Sequence, residues 1–121
     1  MATVSEHLSQ AHKNEAFLSL VRKTSEYADW GTTVVFYIAV HHGRALLAMK
    51  GQQITTHTHF QSEYLRIIGD EFCYKHFRYL QTAAEKARYD VVQCDWLSVG
   101  ELERTHLNPF KDCVVKHGLT I

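Results

Sequence analysis

The chain has 121 residues, with 13 basic and 13 acidic side chains and a formal net charge of zero at pH 7 when histidine is neutral. That length suits one domain, and the balanced charge excludes a bulk electrostatic drive toward nucleic acid or anionic membrane. Nine histidines are unusual for this length, since each adds charge as pH falls toward about 6.

The opening segment MATVSEHLSQAHKNEAF has no apolar core run and no cleavage-like site. No signal peptide is expected from it. No run reaches about 18 apolar residues, so neither a transmembrane helix nor a membrane partner is expected. A first helix is predicted from about Ser5 to Ser25, with apolar positions at Leu8, Ala11, Ala16, Leu18, Leu20 and Val21. A second is predicted from about Asp29 to Lys50 and ends on Gly51. It is apolar on two sides, the pattern of a central bundle helix, yet it carries His41, His42 and Arg44 in its middle.

The polar loop GQQITTHTHFQ follows, with Thr56 or Thr58 as cap of a short helix from about His59 to Ile68. A fourth helix runs from Asp70 or Glu71 to about Ala87. RYDVVQCDWL lacks a helical period and reads as a loop or short extended segment. Ser98 and Glu101 form a capping-box pattern for the last helix, which Pro109 interrupts or restarts behind Asn108. Residues 1–121 therefore read as a single all-α, up-and-down bundle of about five helical segments. Cys73, Cys94 and Cys113 are odd in number and widely spaced. They read as reduced, mostly buried thiols of a cytoplasmic protein.

The chemistry-bearing residues form few known patterns. There is no His-Glu-x-x-His, no Cys-x-x-Cys and no pair of Glu-x-x-His motifs of the di-iron bundle kind, so no metal site and no cofactor is expected. Cys73 and His76 share a helix face but read as core packing. Arg44 requires a partner if buried, and Asp29, Asp90 or a carbonyl is expected to supply it. His42 is expected to face outward or toward a partner subunit.

WGTTVVFYIAVHHGRALLAMKG, then THTHF, then YLQTAAEKARYD together resemble the small prokaryotic HEPN-domain proteins (higher eukaryotes and prokaryotes nucleotide-binding). The matching residues are Phe36, Tyr37, Ala39, His41, Ala45, Leu46, Leu47 and Gly51. The Thr56-His57 or Thr58-His59 pair follows, and then Ala87, Arg88, Tyr89 and Asp90. The resemblance implies a homodimer, often with a nucleotidyltransferase-type partner protein, in toxin–antitoxin or phage-defence settings. It also implies metal-independent RNase chemistry by an arginine and a histidine on the later helix. Here those positions fall on Ala84 and Tyr89, and none of the six arginines has a histidine five to seven positions downstream.

The expectation is therefore a non-catalytic HEPN-like module that binds a partner protein, a nucleotide or RNA. Tyr37, Lys86, Arg88, Tyr89 and Asp90 are its candidate ligand-binding residues. A divergent RNase using His41 and Arg44 with His57 or His59 is the alternative. A histidine-based pH or metal sensor is the third reading.

Overall fold

A computed structural model of the chain describes residues 2–90 and 93–121. All regular structure among them is helical: α1 (Val4–Val21), α2 (Ala28–Met49), α3 (His57–Ile67), α4 (Glu71–Tyr89), α5 (Trp96–Leu102), a π-helical turn (Glu103–Leu107) and α6 (Asn108–Lys116). The last three are continuous, so the described residues form five rods, the number the sequence predicts. No helix is long and apolar enough to cross a membrane.

α2 is the centre and packs against every other element. Phe36, Ile38, Ala39, Val40, Ala45, Leu46 and Leu47 along it are all buried. Glycine lets two rings sit against its backbone. A Cβ at Gly31 would lie 2.5 Å from the Trp96 ring, and one at Gly43 would lie 2.5 Å from Phe60. Phe60 joins Phe36, Tyr64, Tyr74, Phe77 and Phe110 in a buried aromatic cluster, with the Phe60 and Phe77 centroids 4.4 Å apart. Gly43→Ala should therefore destabilise by about 1–3 kcal/mol through overpacking. A urea melt reads this as a lower midpoint at unchanged slope.

The helix ends correct several boundaries. α1 begins at Val4, one residue before the predicted start, because Thr3 and Glu6 form a reciprocal capping box with both bonds at 3.1 Å. It ends at Val21 rather than Ser25. Thr56, not Thr58, caps α3 by accepting from the His59 N–H at 3.0 Å. α4 runs two residues past Ala87. Asp95, not Ser98, opens α5: its Oδ1 accepts from the Ser98 N–H and hydroxyl at 2.8 and 2.7 Å. Ser98 thus stands three residues inside the cap. Within RYDVVQCDWL, Val91 and Val92 lie outside the described residues, and Gln93 to Asp95 have no regular structure.

Pro109 neither breaks nor restarts the rod. The Asn108 N–H donates to the Glu103 carbonyl, five residues back, and Asn108 keeps helical dihedrals of −63° and −43°. This wider turn precedes the proline, whose ring would otherwise press on the carbonyl four residues before it.

The expectation of reduced thiols is also overturned. Cys73, in the first turn of α4, is bonded to Cys113 on α6 with Cα atoms 5.9 Å apart. Only Cys94 is free. The two cysteines are 40 residues apart in sequence, a separation that says nothing of their contact until the helices are folded against each other.

Candidate functional site

Four helices bring histidines and arginines to one place. His7 comes from α1, His41 and Arg44 from α2, His57 opens α3, and Arg88 lies in the last turn of α4. On α2, Trp30, Tyr37 and Arg44 are seven residues apart. They form one stripe, which the structure leaves half-open rather than buried.

His7 Nδ1 and His41 Nδ1 are 3.1 Å apart, so one ring must donate and the other accept. Both are neutral near pH 7. Burial, then the charge of Arg44, holds His7 below the usual imidazole range. Burial first, then His7, Arg44 and His42, lowers His41 from 6.5 to about 4. His57 is held down by burial and by the charges of Arg44 and Arg88, against an opposing pull from Glu85. Its ring lies 5.4 Å from that of Phe36.

Among the described residues neither Arg44 nor Arg88 makes an ion pair, so the pairing expected from Asp29 or Asp90 is not formed. Arg44 Nε, His57 Nδ1 and Arg88 Nη1 are each buried without a hydrogen-bond partner. Leaving one such group unsatisfied costs about 1–3 kcal/mol, and more when it is charged. Arg88 also lines a cleft of about 250 Å³ with Asp29, Trp30, Thr33, Ala87 and Tyr89. Its guanidinium carbon lies 5.4 Å from the Tyr89 ring centroid.

Comparison with known proteins finds no match among family models, curated proteins or solved structures.

The predicted site residues divide. His41, Arg44, His57 and Arg88 converge, with Tyr37 half-exposed beside Arg44 and acting on its charge. His59 does not join them. Its charge acts on Glu63, one turn further along α3. Lys86 lines a different cleft with Lys75, Arg78, Tyr79, Thr82 and Ala83. Tyr89 is 75% exposed, and Asp90 is the exposed residue that ends α4. Ala84 is fully buried. His42 faces the core, not solvent: it is 0% exposed, and its Nδ1–H donates to the Ile38 carbonyl at 2.9 Å. Sequence reasoning missed His7. The signal was there, because His7, Ala11 and Leu18 are the buried positions of α1 at helical spacing.

These histidines make the fold acid-labile. The folded pKa of His41, about 4, lies below its unfolded value of 6.5. Between those values the unfolded chain binds more protons than the folded one, so stability is full above pH 6.5 and falls as pH drops toward 4. His41 alone accounts for about 1–2 kcal/mol after allowance for its partial exposure. His7, His42 and His57 act in the same direction. Denaturant midpoints at several pH values check this. In His41→Gln the decline should be shallower.

Proposed function

We propose that the protein is a HEPN-like module that binds a phosphodiester ligand, a nucleotide or single-stranded RNA, where Arg44, His57 and Arg88 converge. One observation carries the reading. Three nitrogens from three helices, Arg44 Nε, His57 Nδ1 and Arg88 Nη1, are buried with no partner of their own. A phosphate offers several acceptor oxygens and negative charge, and guanidinium groups match its geometry. Trp30 and Tyr89 beside Arg88 supply exposed rings on which a base can stack.

Binding is better supported than cleavage. Metal-independent RNA cleavage by two histidines needs one protonated and one neutral near the working pH. Here His7, His41 and His57 are all pushed toward the neutral form, and His41 at about 4 is a weak base. The opening of His41 and Arg44 to solvent, at intermediate exposure, serves a ligand equally well without chemistry. A homodimer and a nucleotidyltransferase-type partner belong to the proposal on the family resemblance alone. A cytoplasmic place of action does too, although the Cys73–Cys113 bond removes the thiol argument for it.

Fluorescence anisotropy with a labelled single-stranded oligoribonucleotide tests the reading. Binding that tightens as pH falls from 7.5 to 6 is expected, because a bound phosphate favours protonated imidazoles. Intact RNA after incubation is the second expected result. RNA cut without metal, and no longer cut by His41→Ala, would replace binding with catalysis. The absence of any binding would reject both.

A further inference from the structure

The far end of α4 holds a second cluster, remote in chemistry from the one around Arg44. Asp70 caps α4, Cys73 lies in its first turn, Cys113 is on α6, and His117 ends α6. Asp70 Oδ2 and His117 Nε2 are 2.9 Å apart. The ligand atoms of Asp70, Cys73 and His117 all lie within 4.8 Å of one another, and Cys113 Sγ is bonded to Cys73 Sγ. Two sulfurs, one imidazole and one carboxylate thus converge from two helix ends.

We propose that in the reduced chain Asp70, Cys73, Cys113 and His117 form a four-coordinate site for zinc, so that disulfide and metal are alternative occupants of one position. The donor set suits a borderline-soft ion of tetrahedral preference. Ligand atoms about 2.0–2.3 Å from such an ion stand roughly 3.3–3.8 Å from one another. The sulfurs must separate to reach that spacing, and the oxygen and nitrogen need only a small shift.

The surroundings suit both charges. The α4 N-terminus favours a thiolate at Cys73, and the α6 C-terminus favours a cation beside His117. Asp70 Oδ1 accepts from the Cys73 N–H at 3.1 Å, which fixes the carboxylate and leaves Oδ2 directed to His117. Tyr64 has a fully buried hydroxyl with no hydrogen-bond partner, and it feels the Asp70 charge. Such a donor is what a ligating carboxylate uses to hold its orientation. Lys116 Nζ, 3.9 Å from Asp70 Oδ2, is 72% exposed and free to swing away.

The exchange balances. A dithiol reductant passes two electrons and two protons to the sulfur pair, breaks the S–S bond and itself becomes a disulfide. Zinc then displaces two thiol protons to solvent.

The test uses the full chain carrying Cys94→Ser, so that the third thiol takes no part. The protein is reduced with a trialkylphosphine, which becomes its oxide with oxygen from water and leaves both protons on the thiols. It is then titrated with cobalt and afterwards zinc. One cobalt per chain is expected, with thiolate-to-cobalt charge transfer and the strong visible bands of a tetrahedral ion, all lost on adding zinc. The unreduced chain should bind at least 100-fold more weakly, and reduced His117→Ala at least 10-fold more weakly. Should reduction melt the helices, zinc should restore the circular dichroism. No stoichiometric cobalt in the reduced chain would overturn the proposal. So would metal uptake that His117→Ala leaves unchanged, or uptake with no return of helicity.

Discussion

Reducing the Cys73–Cys113 bond in a chelating buffer is expected to lower the free energy of unfolding by about 4 kcal/mol, and the melting temperature by roughly 10–20 °C. The bond closes a segment of 40 residues, which includes all but the first two residues of α4 and all of α5. In the chain-entropy account, releasing that closure frees the unfolded ensemble far more than it alters the folded one. Domains of this size are stable by only about 5–15 kcal/mol, so the reduced chain stays folded with a thin margin. Cys113→Ser should reproduce the loss without reductant, while Cys94→Ser should change little. Thermal melts followed by circular dichroism decide the matter. An unchanged midpoint would mean that packing of Phe60, Phe77 and Phe110 alone holds α4 to α6.

Arg44→Met is expected to weaken oligoribonucleotide binding roughly 10–100-fold, the worth of one charge-assisted hydrogen bond. The same change should leave stability unchanged or raise it by up to about 1 kcal/mol. Methionine keeps much of the apolar stem and removes a half-buried charge that pairs with no anion among the described residues. The opposed signs matter. A purely structural arginine would lose stability when replaced and leave binding alone. Losing one phosphate contact should also flatten the salt dependence by about 0.7 in log–log slope. Anisotropy titrations at several salt concentrations measure both effects, and Arg88→Met should repeat them.

The elements were legible because α2 is so apolar and the turns so polar. A helix with two apolar sides has to be central, and it is. The ends were harder to read. Ser98 and Glu101 have the spacing of a capping box, but Asp95 stands three residues earlier and accepts from the Ser98 N–H and hydroxyl. At a helix start the first competent side chain wins, and spacing alone does not say which that is.

The candidate site was half legible. His41, Arg44, His57 and Arg88 were found as residue types in suggestive places. Their convergence with His7 depends on how α1, α3 and α4 pack around α2, which no local pattern carries. His42 was misplaced for a related reason. Its side of α2 lies within a buried stripe, and a carbonyl one turn back satisfies one ring nitrogen, so polarity was a poor guide to exposure. The Asp70–Cys73 and Cys113–His117 pairs each have helical spacing. They gain chemical meaning only when the start of one helix meets the end of another.

The π-helical turn at Glu103–Leu107 bears on how this chain can change length. Such a turn is an α-helix that has absorbed one additional residue. Elsewhere in the bundle, deleting one helical residue rotates everything beyond it by about 100° and turns a core face toward water. Within 103–107 the surplus residue is already there to lose. Its removal restores ordinary winding while Phe110, Cys113 and His117 keep their facing. The proline is the one obstacle, since ordinary winding returns a carbonyl to the path of its ring. Shortening the rod therefore takes two coupled changes, the deletion together with Pro109→Ala. Sequences of this architecture that lack the extra residue should also lack the proline.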